Sequence, residues 1–305
     1  MADNSVLESG LKERCGSDCV LKNEPMSSHT TFRTGGPADY YVRPKDRESF
    51  LRVLNYLKES EEEYLILGKG SNLLVGDRGY RGTVLDTAGA LGEVIVDGDR
   101  ISAGAGASLS AVSNMAAEAS LTGMEFASGI PGTVGGAVFM NAGAYGGEMS
   151  QIVSSVELVE SSGDIVTKPG SEMGFAYRTS IVQNKNMTVL GARLKLERGD
   201  KNEIIAKIKE LGEQRAKKQP LEFPSAGSTF KRPEGYFAGK LITDAGLSGL
   251  TIGGARVSPK HNGFIINLGN ATSADIMDLI DEVREKVQQK FGVTLVPEVR
   301  IIGEF

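Results

Sequence analysis

A chain of 305 residues, 40% of them hydrophobic and 24% charged, is long enough for two domains with a core in each. The formal net charge of −5 argues against a nucleic-acid-binding protein, which usually carries a basic face, although a pocket on an acidic protein can still be basic. Since no window reaches the ~20 apolar residues of a membrane span and the N-terminal residues lack the pattern of a secretory signal, we expect no membrane insertion and a cytoplasmic location.

The two cysteines, Cys15 and Cys19, are spaced C-x3-C. We interpret them as reduced thiols, as is usual in a cytosolic protein. A structural zinc site needs four ligands, and the chain has only two histidines, His29 and His261, far from both cysteines. We therefore expect no metal site.

The hydrophobic pattern predicts helices and strands without a regular alternation. In chain order it predicts a short helix and an arm within 1–28, a helix at 46–60, strands at 64–67 and 83–85, a hairpin of 93–96 and 100–103, a helix at 109–119, a hairpin of 156–159 and 165–167, a strand at 188–196, a charged helix after 203, a helix near 238–245, a strand at 263–268, a helix at 273–290 and a closing strand at 294–302. This mixture is typical of an α+β fold rather than a doubly wound parallel sheet.

A polar break at 198–203 separates two patterns of elements, and we place the main domain boundary there. The sequence thus predicts an N-terminal arm of residues 1–28, a domain of residues 29–200 and a C-terminal domain of residues 201–305. We see no internal repeat.

The first glycine-rich segment, Gly68–Asn72, directly follows a predicted strand. Glycines there let several backbone N–H groups converge on one anion, and the side chains of Ser71 and Asn72 could add donors. The spacing is not that of a P-loop, because Glu63 stands where the first glycine is required. A ligand-binding loop and a plain tight turn remain open on this pattern alone.

Two further segments are rich in glycine. Gly104-Ala105-Gly106 begins like a dinucleotide fingerprint, but Leu109 replaces the third glycine, so we interpret it as a strand-to-helix turn. Residues 128–137 interleave small residues with a few apolar ones, which disfavours a regular helix or strand. We expect this segment to wrap a cofactor diphosphate with its amides, while Ile130 and Val134 face a flat apolar group.

Seven segments, in this order, resemble the motifs of the UDP-N-acetylenolpyruvoylglucosamine reductase family. They are His29–Ala38, Leu67–Leu74, Ser128–Gly136, Asn141–Gly146, Tyr177–Ser180, Ser225–Phe230 and Val296–Arg300. The resemblance begins near residue 25 and continues through the rest of the chain. A match to one such segment would be weak evidence for the family, but seven matches in the same order are specific to it.

The resemblance implies an FAD-binding fold of the vanillyl-alcohol-oxidase type, whose two α+β subdomains would divide near residue 86, plus a C-terminal α+β domain for the substrate. It implies non-covalent FAD, reduction by NADPH, and hydride transfer to the enolpyruvyl group of a UDP-sugar. Residues 235–242 resemble a shorter subclass, which lacks an extra substrate-covering loop. The oligomeric state is not implied, and we expect a monomer.

The family's flavin contacts map onto the glycine-rich segments and two further positions. The implied cofactor-binding residues are Gly68, Lys69, Gly70, Ser71, Asn72, Leu73, Ser128, Gly129, Ile130, Pro131, Gly132, Gly135, Gly136, Ala137, Asn141 and Val189.

Three residues resemble the catalytic set. Hydride delivery beside a carboxylate builds negative charge, which calls for a clamp and a proton donor. Arg178 and Glu298 match the clamp, since a guanidinium is a planar fork suited to a carboxylate, and Ser228 matches the proton donor. In the predicted closing strand, Glu298 and Arg300 would point to one face; on spacing alone they could equally form a surface salt bridge.

The implied substrate contacts are Tyr177, Arg215, Lys218, Lys240 and Arg300. Arg215 and Lys218 are three residues apart on a predicted helix and would point the same way, which suits a diphosphate. A solvated basic helix end is the alternative.

Two other functions stay open on the sequence. A flavin oxidase of the same superfold would use oxygen and would need a base over its substrate. A nucleotide- or flavin-binding module without catalysis would not need Ser228, Arg178 and Glu298 together.

Overall fold

The computed structural model describes residues 4–305. The helices are α1 (Asn4–Cys15), α2 (Arg47–Glu59), α3 (Leu109–Glu118), α4 (Val134–Met140), α5 (Ile181–Asn184), α6 (Lys201–Lys218), α7 (Ala238–Asp244) and α8 (Ser273–Phe291). Short 3-10 turns lie at Ser17–Cys19, Met26–Ser28, Glu125–Ala127, Met149–Gln151 and Gly170–Glu172.

The strands are short and mostly antiparallel. They are β1 (Val20–Pro25), β2 (Pro37–Val42), β3 (Tyr64–Leu67), β4 (Leu73–Val75), β5 (Tyr80–Asp86), β6 (Val94–Asp97), β7 (Arg100–Gly104), β8 (Leu121–Thr122), β9 (Gly143–Ala144), β10 (Gly147–Glu148), β11 (Val153–Val159), β12 (Ile165–Pro169), β13 (Thr188–Lys195), β14 (Glu197–Arg198), β15 (Thr251–Ile252), β16 (Ala255–Val257), β17 (Ile265–Asn267) and β18 (Arg300–Ile302). The larger sheets have the orders β1-β2-β5-β3, β12-β11-β13-β7-β6 and β15-β16-β17. The prediction of an α+β fold is confirmed.

The chain divides by its contacts into two compact units that interleave along the sequence. The first unit contains the residues as far as Leu21, then Tyr40–Lys69 and Thr83–Arg215; the second contains Lys22–Asp39, Gly70–Gly82 and Ala216–Phe305. The domain boundaries drawn from the sequence stay a prediction.

The core of the first unit forms around the antiparallel sheet β12-β11-β13-β7-β6. Helix α2 contributes a buried stripe of Phe50, Val53, Leu54 and Leu57, as its helical spacing predicts. A capping box begins this helix, because Asp46 accepts the backbone N–H of Ser49 at 2.7 Å and Ser49 caps in return. The predicted helix and both predicted hairpins of this unit are confirmed.

The core of the second unit lies between α8 and the sheet β15-β16-β17. Helix α8 starts at a capping box of Thr272 and Asp275 and stops at Gly292, whose φ of 68° closes it in the left-handed region. Its stripe from Ile276 to Val287 is buried throughout, which confirms the predicted amphipathic helix. Strand β18 pairs in parallel with β4, with Arg300 opposite Leu73.

Two predictions of local structure are wrong. The segment 128–137 is not irregular throughout, because Val134 begins α4 and is buried in the core rather than facing a flat apolar ligand. The predicted closing strand at 294–302 reduces to Arg300–Ile302, preceded by an isolated bridge between Phe230 and Pro297. The argument that strand periodicity orients Glu298 therefore fails.

Within residues 4–305, no helix has both the length and the apolar character that a membrane span requires. Over the same residues, no group of three or more His, Cys, Asp or Glu side chains is arranged to hold a metal ion.

Candidate functional site

In the first unit, the loop after β3 lies against the start of α4. Strands β3 and β5 run parallel and end together at Leu67 and Asp86. Gly68 follows, and a Cβ there would overlap the Oγ1 of Thr133 and lie 3.2 Å from its Cγ2. Thr133 is the N-cap of α4, since its Oγ1 accepts the N–H of Gly136 at 3.4 Å. Only glycine at 68 permits this approach.

The turn after β7 joins the same place. The N–H of Gly135 donates to the carbonyl of Ala105 at 2.9 Å, and that of Val134 donates to Ala107 at 2.9 Å. A Cβ on Gly135 would lie 2.9 Å from the Cβ of Ala105, so glycine is needed for the contact. Gly106 in turn lies against the carbonyl of Thr87, directly after β5. Glycines from all three glycine-rich segments, Gly68, Gly106 and Gly135, thus take part in close contacts in this unit, which their separate motifs did not predict.

The half-buried side chain of Arg215 lies beside the tight turn at 128–132. A Cβ on Gly129 would lie 3.1 Å from Nη1 of Arg215. The Nε of Arg215 is buried and has no hydrogen-bond partner within the described structure. Burial lowers the pKa of this guanidinium, while the nearby Tyr145 hydroxyl acts to raise it. A guanidinium still remains charged at neutral pH, so this place favours an anion.

A cavity of about 430 Å³ adjoins this region of the first unit. Its walls include the rings of Phe126 and Tyr145, the side chain of Leu211, and the polar side chains of Lys207 and Gln214.

Arg178 lies at the tip of a two-residue turn in the first unit. Ala176 and Thr179 exchange backbone hydrogen bonds at 3.2 Å across it, and Arg178 adopts a φ of 56°, which costs a non-glycine residue about 1 kcal/mol. Gln183 Nε2 donates to the carbonyl of Arg178 at 3.1 Å. The guanidinium of Arg178 lies 5.2 Å from the ring centre of Tyr177, its neighbour in sequence, which is within the range of a cation–π interaction.

Asn141 supports this turn. It ends α4 with a φ of 44°, its Nδ2 donates to the carbonyl of Ala176 at 3.2 Å, and its Oδ1 accepts the N–H of Ser150 at 2.9 Å. The side chain of Asn141 is buried, so its hydrogen bonds fix the conformation of the turn. Val189, another predicted cofactor contact, is buried in β13.

In the second unit, Gly70 and Asn72 lie close to other segments of the backbone. Gly70 has a φ of 57°, and a Cβ there would overlap the carbonyl oxygen of His29. Asn72 is held at two points, because its carbonyl accepts the N–H of Arg300 at 3.0 Å and its Nδ2 donates to the carbonyl of Glu298 at 3.1 Å.

Glu298 and Ser228 belong to neighbouring segments of the second unit. The N–H of Glu298 donates to the carbonyl of Thr229 at 2.8 Å. Thr229 is fully buried and its hydroxyl accepts the N–H of Ile265 at 3.0 Å, which fixes the backbone next to Ser228. The structure therefore places the backbone segments of Ser228 and Glu298 next to each other, although not by the strand alternation expected from the sequence.

The remaining predicted substrate contacts differ in their surroundings. Lys240 is on α7 and forms an ion pair with Asp244 at 2.8 Å on an exposed surface. Lys218 is exposed at the end of α6, and Arg300 is exposed in β18.

Sequence reasoning missed three residues that hold the candidate site. They are Thr133, which caps α4 against Gly68; Gln183, which binds the turn of Arg178; and Thr229, which fixes the segment of Ser228. Only Thr133 carried a signal, since threonine before a helical run is a common N-cap.

Two family profiles match this chain. The family profile described as FAD binding domain matches residues 38–168, and that described as UDP-N-acetylenolpyruvoylglucosamine reductase, C-terminal domain, matches residues 219–302. The chain is 52% identical to the UDP-N-acetylenolpyruvoylglucosamine reductase of Caldanaerobacter subterraneus subsp. tengcongensis, over 98% of this chain and 99% of that protein. It is 50% identical to that of Lachnoclostridium phytofermentans, over 99% of this chain and 98% of that protein.

A solved structure is also similar to this chain over nearly its whole length. The UDP-N-acetylenolpyruvylglucosamine reductase of Thermus caldophilus superposes with a TM-score of 0.79 at 36% identity, covering 93% of this chain and 98% of that one.

Proposed function

Because this chain belongs to the UDP-N-acetylenolpyruvoylglucosamine reductase family, we propose that it reduces the enolpyruvyl group of UDP-N-acetylglucosamine enolpyruvate to give UDP-N-acetylmuramate, a peptidoglycan precursor, with FAD as cofactor and NADPH as reductant. The observation that carries the assignment is the hydrogen bond between Glu298 and Thr229, which brings two of the three implied catalytic residues into adjacent segments. A nucleotide-sugar substrate and a nicotinamide reductant favour a cytoplasmic location.

The residues of the first unit fit FAD. The glycines at 68, 106 and 135 leave no room for a Cβ and keep the backbone of three segments close, and Arg215 supplies a half-buried cation beside Gly129 without a partner at its Nε. A dinucleotide carries the diphosphate anion that such a place favours. The cofactor would be held without a covalent bond by residues 68–73 and 128–137, with support from Asn141 and Val189.

When bound, FAD would supply the chemistry of hydride transfer, accepting a hydride from NADPH and passing one to C3 of the enolpyruvyl group. The chain's own residues then have two tasks. Arg178 binds the substrate carboxylate as negative charge develops there, which a preorganised guanidinium stabilises more strongly than water does. Glu298 is assigned to the reduction of the substrate as well, as the family motif implies.

Ser228 donates the proton that C2 receives. A hydroxyl is a weak acid, but the carbon of an enolate is basic enough to take its proton, and positioned proton transfer contributes about 10²–10⁴ in rate. Tyr177, Lys218, Lys240 and Arg300 are assigned to substrate binding, whereas Arg215, for which the family motif implied the same role, is assigned to the cofactor diphosphate because it lies beside Gly129.

The purified protein tests this proposal by its absorbance. We expect a flavin band that bleaches on anaerobic addition of NADPH and returns on addition of the UDP-enolpyruvyl sugar, while UDP-N-acetylglucosamine, which lacks the enolpyruvyl group, leaves it bleached. Rapid return of the band in air without the sugar would instead identify an oxidase. A colourless protein that FAD cannot reconstitute would refute the proposal.

A further inference from the structure

The backbone of Glu298 is held on both sides by other segments of the second unit. Its N–H donates to the carbonyl of Thr229 at 2.8 Å, and its carbonyl accepts Nδ2 of Asn72 at 3.1 Å. Residues 72, 229 and 298 are far apart in sequence, so the fold alone brings them together. The chain is thus fixed immediately before and immediately after the Cα of Glu298.

The bond from Asn72 lies just beyond the end of a strand pair. Strand β18 begins at Arg300, which is aligned with Leu73 of β4, and the N–H of Arg300 donates to the carbonyl of Asn72 at 3.0 Å. If this parallel pairing continued to Glu298, a backbone N–H would bind the Glu298 carbonyl. The side-chain amide of Asn72 binds it here, and so extends the attachment of this segment two residues beyond β18.

Asn72 therefore holds both ends of a three-residue stretch. It binds Glu298 through its side chain and Arg300 through its backbone, and Val299 between them is buried. A carboxylate that acts on a substrate has to be held within about 0.5 Å of its working position. With the backbone fixed on both sides, the position of the Glu298 carboxylate depends mainly on the rotation of its own side chain.

On the basis of the proposed function, we infer that Asn72 is a positioning residue for reduction of the substrate: its side-chain amide holds the backbone of Glu298, and through it the Glu298 carboxylate. This role belongs to the side chain and adds to the cofactor contact that the family motif implies for residue 72. Removal of the amide should affect the step in which Glu298 takes part, which is oxidation of the reduced flavin by the UDP-enolpyruvyl sugar.

Hydrogen exchange of the FAD-loaded protein, measured by mass spectrometry, tests the contact without any turnover. In Asn72→Ala, the amides of residues 298–302 should exchange about fivefold faster, as expected for the loss of one hydrogen bond. Lys290→Met is the matched control, because Nζ of Lys290 donates to the carbonyl of Asp244 at 2.7 Å and so also joins a side chain to a distant backbone segment of this unit. It should leave the exchange of residues 298–302 unchanged.

Stopped-flow absorbance of the two half-reactions tests the role. Asn72→Ala should leave flavin bleaching by NADPH within twofold of the unaltered protein. It should slow reoxidation by saturating UDP-enolpyruvyl sugar about tenfold or more, since a small misplacement of a reacting group is costly. Lys290→Met should alter neither rate.

A double variant shows whether Asn72 acts through Glu298. In a Glu298→Gln background, Asn72→Ala should slow reoxidation by less than about twofold further, because the carboxylate that Asn72 positions is already absent. Asn72→Asp keeps the size of the side chain but loses the donor, so it should slow the same step, and it replaces Asn72→Ala if that variant does not retain FAD.

The inference is overturned if exchange of residues 298–302 does not respond to Asn72→Ala, or if both half-reactions slow equally. It also fails if Asn72→Ala slows reoxidation by the same factor with and without Glu298→Gln, because Asn72 would then act independently of Glu298. Loss of FAD from both variants of Asn72 would assign its amide to the cofactor instead. Failure of the proposed function is seen separately, in the unaltered protein, as reduced flavin that the UDP-enolpyruvyl sugar does not reoxidise.

Discussion

The contact between Gly68 and Thr133 allows a sharp test of how the first unit holds its loops. In Gly68→Ala, the new methyl group would overlap the Oγ1 of Thr133 and press on its Cγ2 at 3.2 Å. Thr133 is buried and cannot swing into solvent, so the threonine must leave its rotamer or the loop must move away from α4.

The expected cost has two parts. Loss of the N-cap bond from Thr133 to Gly136 costs about 1 kcal/mol, and overpacking of a close contact costs about 1–3 kcal/mol. Gly68→Ala should thus lower the free energy of unfolding by about 2–4 kcal/mol. Thr133→Ala alone should cost about 1 kcal/mol, because it removes the cap but adds no overlap.

The two changes should not add. Without the threonine Oγ1 and Cγ2, the nearest atom to the new methyl is the Cβ of residue 133 at 3.3 Å, which a small shift accommodates. The double variant should therefore be about as stable as Thr133→Ala, with a coupling energy of about 2–4 kcal/mol in magnitude. Urea unfolding of the FAD-free protein, followed by circular dichroism, measures all four corners of the cycle.

Gly212→Ala provides the control for adding a methyl group. Gly212 is inside α6, and no atom lies within 4 Å of the place that its new methyl group would occupy, so alanine there should stabilise the helix by up to about 1 kcal/mol. If Gly68→Ala unfolds at the same urea concentration as the unaltered protein, or if its cost simply adds to that of Thr133→Ala, the two residues are not in the contact described above.

Three further changes have specific expected outcomes. Ser228→Ala should leave the bleaching of flavin by NADPH nearly intact and slow reoxidation by the UDP-enolpyruvyl sugar about 100-fold or more in stopped-flow absorbance. The control is Ser248→Ala, which alters an exposed loop serine bonded to Asn262 and should change neither rate. Equal slowing of both steps by Ser228→Ala would contradict the role of Ser228. Arg215→Met should raise the free energy of unfolding of the FAD-free protein by about 1 kcal/mol, because it removes a buried N–H without a hydrogen-bond partner. The same variant should bind FAD at least tenfold more weakly in a fluorescence titration. An unchanged affinity for FAD would show that Arg215 is not in the cofactor site. Burial lowers the pKa of His261 below 6.5. As the pH falls through 6.5, the unfolded chain therefore binds a proton that the folded chain does not bind, and the free energy of unfolding decreases until the pH passes the lowered pKa. His261→Gln should reduce this loss of stability between about pH 7.5 and pH 5 in urea unfolding, and an unchanged loss would show that other groups cause it.

The sequence predicted elements best where periodicity alone decides them. The buried stripes of α2 and α8 were readable because an amphipathic helix repeats every 3.6 residues, and the hairpins because turn residues separate two apolar runs. The start of α4 was missed because glycines at 135 and 136 oppose helix formation locally, whereas the N-cap of Thr133 and the contact of Gly135 with Ala105 favour it through the fold.

The candidate site was predictable in its residue types but not in its geometry. The family motifs name Ser228 and Glu298, yet their proximity depends on a backbone bond to Thr229 that no periodicity predicts. The left-handed conformation of Arg178 and the bond from Gln183 are likewise set by packing around one turn. The bond between Glu298 and Thr229 joins segments distant in sequence, about which a local pattern contains no information. The bond between Gln183 and Arg178 is local in sequence, but no hydrophobic periodicity predicts it.

The pairing of β18 with β4 has a consequence for how the protein is made. Arg300–Ile302 align with Leu73–Val75, so one strand of that pair is synthesised more than two hundred residues after its partner. During translation, the backbone groups of Leu73–Val75 that pair with Arg300–Ile302 have no strand partner yet, while the whole of Thr83–Arg215 leaves the ribosome and can fold. Contacts of such long range slow folding and leave strand edges exposed to wrong partners. We therefore expect the first unit to mature on the ribosome, and the second only once Arg300–Ile302 have left it.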